Sequence, residues 1–299
     1  NFILSYYLIV KIFLNIIYNY DFICSNSSEK ETQNLKHIIT FHKKRLLFEI
    51  IRKRKADISS VEIVALVLIK CMSNEFENKL LKEILEIIDI QIDGLSMHKS
   101  YNILEHAKFL NNLNEIKNIL LFFKIQKAEK INNKILGMTS ILSRYRHDDS
   151  SLPLFNGCNN NHNVIIQNIL DREQFLKTKP FLNFTNGIVF YKDINQTIFF
   201  DVVQPTKDGF SKELSAGSLS FEISSMGEKI ITNCGGAESS GKNPAYLKYS
   251  AAHSTIIINN TNISEIKEGE KSKIFPNQVL FESTENANII TLTGTHNGY

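Results

Sequence analysis

No charge of one sign dominates this sequence: 34 Lys and Arg stand against 31 Asp and Glu, a net of +3 over 299 residues. That balance is too small to argue for a nucleic-acid partner, and clusters such as Lys43-Lys44-Arg45 read as solvated helix faces. Cysteine is sparse as well. Cys24, Cys71, Cys158 and Cys234 lie far apart and fit no zinc or redox spacing, so they are expected to be free. They neither establish nor exclude an oxidising compartment. Gly and Pro are not in excess, which excludes fibrous and low-complexity classes, and no internal repeat marks a solenoid. A long apolar run is missing too. Phe2 to Ile23 has the length of a membrane span, but Lys11, Asn15, Asn19 and Asp21 interrupt it, and a buried helix is the expectation. No small-residue cleavage site follows it. The chain begins at Asn1 and stops after a strand-like run, so a piece of a longer protein is expected.

What is present is 43% hydrophobic residues and 22% charged ones, enough for a sizeable core and most naturally for two domains. The first half has helical period. Ser27-Ser28-Glu29 offers N-caps to a helix whose Leu35, Ile38, Ile39, Leu46, Leu47, Ile50 and Ile51 recur every three or four residues. Ser59-Ser60-Val61-Glu62 starts another, and Asn74 to Ile90 a third. Tyr101 to Phe109, Leu113 to Phe123 and Lys127 to Ser143 continue the pattern, which describes an array of helical hairpins. From Leu152 the period changes. Leu152 to Phe155, Asn163 to Leu170, Gly187 to Tyr191, Thr197 to Val202, Ser254 to Asn259, Val279 to Glu282 and Ile289 to Leu292 are predicted strands. Between them, Leu219, Phe221 and Ile223 alternate with Ser220, Glu222 and Ser224, the pattern of a strand with one buried apolar face. A return strand over Lys229 to Asn233 follows. Thr255 to Ile258 reads as a well-buried strand entered through His253. Spacings near ten residues suggest a β-sandwich.

The stretch SLSFEISSMGEKIITNCGG followed by AAHSTIIIN resembles the C-terminal β-domain of the heparinase II/III-like polysaccharide lyases. RYRHDDSSLPLFNG, Arg144 to Gly157, resembles the opening of the same domain, and the resemblance runs from about Asp93 to Tyr299. It implies an α+β multidomain chain: an incomplete N-terminal all-α helical-hairpin toroid over 1–143, then a truncated antiparallel β-sandwich over 144–299. It also implies cleavage of an acidic polysaccharide by β-elimination, and, by family habit, the periplasm or cell envelope of a bacterium.

Elimination next to a uronate carboxylate needs a group that neutralises the carboxylate, a base, and an acid for the leaving oxygen. In the family a loop opening Asp-Gly carries a catalytic Tyr. Here that loop resembles Asp93-Gly94 through Tyr101, without the family's Pro, so the slot falls on Tyr101 or on Ile103. Tyr101 is the expected acid/base and His98 a second candidate; against this, Tyr101 also reads as the first packed aromatic of a helix. Arg144, Arg146 and His147 are candidate substrate-binding residues, Arg being suited to a carboxylate, with an ion-pair network beside Asp148 and Asp149 as the alternative. Better-known relatives hold a structural zinc in the β-domain through His, Asp and His. The matching slots are Ser215, Asn233 and His253, a poor set for zinc, so no metal or other cofactor is expected. His253 is then a relic held by hydrogen bonds or a residue facing substrate, and it stays a catalytic candidate. The family's upstream Asn/His segment finds no match between Asn1 and Ile90. A non-catalytic carbohydrate-binding or cell-envelope protein on the same scaffold is the alternative function.

Overall fold

Carboxylates placed three residues after a serine decide where two of the helices begin. The Ser28 N–H donates to the Glu31 carboxylate at 2.8 Å, and the Ser59 N–H and hydroxyl both donate to Glu62 at 2.8 Å. Each pairing satisfies a donor that the first helical turn leaves without a partner. The computed structural model describes residues 6–73, 75, 78–125, 129–159, 166–169, 181–183, 187–204, 210, 214–236, 245–266, 276, 278–286 and 289–299. The chain divides into two compact units, one of residues 1–91 and 111–135, the other of 92–110 and 136–299.

In the first unit run α1 (Tyr6–Tyr18), α2 (Tyr20–Cys24), α3 (Glu29–Ile51), α4 (Ser60–Met72) and α5 (Asn78–Gln91). The stretch expected as one helix from Phe2 to Ile23 is two over its described part, parted at Asn19, whose backbone leaves helical geometry; residues 2–5 lie outside the described residues. Among the described residues no helix is long and apolar enough to cross a membrane. Helix α4 is buried all round, from Val61 to Ile69, which makes it the centre of the unit. Val10 and Phe13 of α1, Leu46 and Ile50 of α3 and Ile84 and Ile88 of α5 are buried too, whereas Ile38 and Ile51 of the predicted α3 stripe stay exposed. Two buried or half-buried hydrogen bonds fasten this packing: Gln91 Nε2 to the Ile58 carbonyl at 2.7 Å, and Asn112 Nδ2 to Ser60 Oγ at 2.7 Å.

Two further helices, α6 (Ile103–Phe122) and α7 (Glu129–Arg144), complete the helical part. The break expected between Phe109 and Leu113 does not occur, since Leu110 and Leu113 are both fully buried and carry one continuous helix.

The second unit holds a five-stranded antiparallel sheet in the order β1 (Phe181–Asn183), β2 (Ile188–Lys192), β3 (Gln196–Asp201), β4 (Phe221–Ser225), β5 (Glu228–Ile231), and a ribbon of β6 (Val279–Asn286) and β7 (Ile289–His296). Val189, Val202, Phe200 and Leu219 pack against Val279, Phe281 and Leu292 of the ribbon, giving the expected antiparallel sandwich. On the opposite face of the sheet Phe190 and Phe199 pack against Tyr145, ring centres 5.0 and 5.7 Å away, and the Tyr145 hydroxyl donates to the Ile188 carbonyl.

Four strand expectations are corrected. Leu152 to Phe155 is extended coil without sheet pairing, and residues 166–169 form a helical turn, the rest of that predicted strand lying outside the described residues. Thr255 to Ile258 is an exposed loop: Ile256 is 74% accessible, and Asn259 and Asn260 turn the chain in left-handed backbone. The fourth concerns β4. Its polar residues are the buried ones, with Ser220 and Glu222 at 0% and Ser224 at 1% exposure, while Phe221 and Ile223 are only partly covered. Burying a carboxylate on a sheet face is tolerable only when its oxygens are satisfied, and that condition shapes the interior of this unit.

Candidate active site

The loop from Asp93 to Tyr101 is built on its first residue. Asp93 Oδ1 accepts the N–H groups of Leu95 and Met97 at 2.9 and 2.8 Å, and the Asp93 N–H donates to the Met97 carbonyl at 2.8 Å. This self-bonding by a short carboxylate is why Asp opens tight turns. Ser96 turns in left-handed backbone and lies over Gly137 of α7, where a Cβ would come within 2.4 Å of its hydroxyl. At the loop's end stands Tyr101, also left-handed at φ 49°, a genuine outlier for a bulky residue. Its hydroxyl is 3.4 Å from Asp93 Oδ2, and its ring lies on Gly187, where a Cβ would sit 2.4 Å from Cε1. His98 is wedged between Phe109 and Phe210, with Nδ1 2.8 Å from Ser100 Oγ, and burial pushes its pKa down to about 4. The ring is thus neutral and enclosed. His106, beneath it, has Nε2 2.8 Å from the Met138 carbonyl and is pushed down to about 3 by burial.

The other predicted residues lie on or beside the polar face of β4. His147 is buried: Nε2 lies 2.8 Å from Glu222 Oε2 and Nδ1 2.8 Å from Ser224 Oγ. Both ring nitrogens are spent inside the fold, so in this structure neither is left for a substrate carboxylate. Arg144 and Arg146 are half-buried, and Arg146 donates from Nε to the Ser150 carbonyl at 3.0 Å. Glu222 Oε1 accepts three more hydrogen bonds, from the Leu154 N–H at 2.9 Å, the Asn233 N–H at 3.0 Å and Asn233 Nδ2 at 3.1 Å. Asn233 Oδ1 in turn accepts the Ser254 N–H at 2.9 Å, which sets the backbone beside His253. His253 is 9% exposed and lies against Gly217. Among the described residues no partner sits at strict hydrogen-bonding geometry to either of its ring nitrogens. Burial pushes its pKa down to about 4, although the Leu247 backbone and the Glu222 carboxylate draw it upward.

The structure therefore gathers Asn233, His253 and His147 around Glu222, and sets Tyr101 and His98 in a separate loop. Residues 187–299 match the family model described as heparinase II/III-like, C-terminal. The likeness to that family covers the β-domain from β2 onward. Against curated proteins the sequence finds no significant match. Among solved structures the chain is similar to heparan sulfate lyase HepC from Pedobacter heparinus, at 13% identity and a TM-score of 0.63 over 90% of this chain and 45% of that one. It is similar also to a heparinase III, at 12% identity and a TM-score of 0.68 over 93% and 48%. At such identity the likeness is one of fold, a helical domain followed by an antiparallel β-domain. The chain spans about half the length of these solved structures.

The slots that the resemblance offers a zinc are Ser215, Asn233 and His253. Asn233 has its amide committed at both ends, and the Ser215 N–H donates to Asn156 Oδ1 at 3.2 Å. Among the described residues no three His, Cys, Asp or Glu side chains converge. One imidazole, a serine and a committed amide do not fit a tetrahedral zinc, which requires three or four firm ligands. Sequence reasoning missed Glu222, read as a solvent-facing strand residue, and Asp201, a buried strand-end carboxyl pushed up to about 7 by burial against the pull of the Val203 N–H. It missed Asn156 as well, whose only mark was its place in the LPLFNG motif.

Proposed function

We propose that this chain is part of a polysaccharide lyase cleaving an acidic, uronate-containing polysaccharide by β-elimination, with Tyr101 as acid/base. The observation that supports the reading is the strained, multiply held Tyr101 with its hydroxyl facing Asp93. Strain of this kind persists only where surrounding contacts over-determine it, and it concentrates at functional sites. In the reaction the phenolate takes the proton next to the carboxylate, the electron pair forms the carbon–carbon double bond, the glycosidic C–O bond breaks, and the phenol returns the proton to the departing oxygen. Arg144 and Arg146 are the proposed partners of the carboxylate, and His98, held neutral, shapes the loop. His253 is the neutral base available in the β-domain. A periplasmic or cell-envelope location belongs to the same proposal.

The second reading, a non-catalytic carbohydrate-binding or cell-envelope protein on this scaffold, is favoured by one observation: His147 is consumed in the interior. The deciding assay follows the ultraviolet absorbance of unsaturated uronate ends over a panel of acidic polysaccharides, with Tyr101→Phe and His253→Ala alongside wild type. A rise that Tyr101→Phe lowers by about a hundredfold or more agrees with the loss of a general acid–base group. A rise lost only in His253→Ala moves the chemistry to the β-domain. Glycan binding with no rise on any polymer favours the second reading.

A further inference from the structure

Four separate contacts hold Tyr101. Its N–H donates to the His98 carbonyl at 2.9 Å, its ring lies on Gly187, its hydroxyl faces Asp93, and its carbonyl accepts a long hydrogen bond, 3.4 Å, from Asn156 Nδ2. Three of these come from the loop itself or from an adjacent backbone. The fourth comes from a side chain tied to two other segments. Asn156 is 3% exposed and left-handed at φ 52°. Its carbonyl accepts Asn102 Nδ2 at 2.9 Å, and its Oδ1 accepts the Ser215 N–H at 3.2 Å. Asn102 in turn caps α6, its Oδ1 accepting the N–H groups of Leu104 and Glu105 at 2.9 and 3.2 Å. One residue therefore meets the carbonyl of Tyr101 and the Ser215 N–H through its side-chain amide, and Asn102, which caps α6, through its own carbonyl.

We propose that Asn156 is a positioning residue for Tyr101: its amide fixes the left-handed Tyr101 peptide, and so the direction of the phenol, relative to the β-domain. The inference rests on the reading of Tyr101 as acid/base. A peptide in a sparsely populated conformation relaxes when one of its anchors is removed, and a reacting group displaced by about an ångström loses rate steeply while binding elsewhere is kept.

Two variants of the full chain isolate this limb. Asn156→Gly deletes the side chain while tolerating the left-handed backbone. Asn156→Asp keeps the acceptor for Ser215 and loses the donor to Tyr101. Ring-labelled tyrosine NMR, with Tyr101→Phe to assign the signal, reports the phenol's surroundings without any substrate. The expected result is a moved Tyr101 resonance in both variants, with kcat for elimination down by about tenfold or more and KM held within about twofold. A merely structural role would lower the unfolding temperature and leave resonance and kcat of the folded protein in place. If Tyr101→Phe is fully active, the functional reading itself fails. If Tyr101→Phe is inactive while both Asn156 variants match wild type in resonance and kcat, only the positioning role fails. With no turnover on any polymer, an unmoved resonance still overturns it.

Discussion

Replacing Glu222 separates the two things this side chain supplies, a charge and an acceptor. In Glu222→Ala, the His147 ring, the Leu154 N–H and both Asn233 donors lose their partner at once, in the buried interior. Breaking a buried pair from one side costs about 3–5 kcal/mol, and a domain of this size loses about 2–4 °C of Tm per kcal/mol. Glu222→Ala should thus lower Tm by about 10 °C. Glu222→Gln is different. Its carbonyl oxygen can keep the three Oε1 hydrogen bonds, and its amide can donate to His147 Nε2 if the ring carries its proton on Nδ1, toward Ser224. The Gln variant should lose about 1 kcal/mol, the size of one altered hydrogen bond. Calorimetry on the three proteins decides it. A Gln variant as damaged as the Ala one would mean that charge, not acceptor geometry, holds the interior. An Ala variant within a degree or two of wild type would refute the network's structural role altogether.

Asn233→Asp, the change toward the relatives' zinc slot, should destabilise by about 1–3 kcal/mol, because the donor to Glu222 becomes a second acceptor facing a buried carboxylate; urea denaturation measures it, and an unchanged midpoint would contradict the assignment of Asn233 Nδ2 to Glu222. Acid should destabilise the second unit. His98, His106 and His253 are held near 4, 3 and 4, below the unfolded value of about 6.5. Their contribution is therefore present above about pH 6.5 and lost as pH falls through the folded values. Asp201, raised to about 7, acts in the opposite sense between its unfolded value of about 3.9 and neutrality, adding stability as pH falls. Near pH 5 the unfolded chain binds about two protons more than the folded one, so stability should drop by about 2–3 kcal/mol per pH unit there. Denaturation at pH 7 and pH 5 tests the sign, and equal or greater stability at pH 5 would show that the buried histidines are protonated in the fold.

Where periodicity and burial agree, the sequence was readable. The serine caps read before α3 and α4 became helix beginnings at Ser28 and Ser59, and the strands read at Gly187 to Tyr191 and Thr197 to Val202 became β2 and β3. It failed where a polar residue is buried by partners far along the chain. Nothing local separates a Glu222 that faces solvent from one whose acceptors serve His147, Leu154 and Asn233. Alternation gives the period of a strand but does not say which face is inside. The three isoleucines after Thr255 misled for the complementary reason: their β-propensity is real, but among the described residues no strand lies alongside to pair with them. Within the site, Tyr101 was nameable because a family motif surrounds it, whereas the Asn156 side chain reaches it across 55 positions and leaves no pattern.

The reversed face of β4 also explains how the sheet keeps its register. A slip of one residue turns every side chain of a strand to the other face. In most strands that exchanges apolar for polar and is opposed by water. Here both faces are covered, the one by the ribbon with Phe281 and Leu292, the other by the segment carrying Tyr145 and His147. The hydrophobic pattern alone would therefore discriminate poorly between registers. Glu222 restores the discrimination. In the observed pairing it stands opposite Phe199 and meets donors from three segments. One residue out of register, Phe221 or Ile223 would face those donors and leave them unsatisfied, while the carboxylate would lie among the ribbon's side chains. Each orphaned group costs about 1–3 kcal/mol, so the slipped state is disfavoured by more than a single mutation removes. The buried carboxylate therefore acts chiefly by specifying one arrangement of the sheet, and with it the placement of Asn233 and the backbone that carries His253.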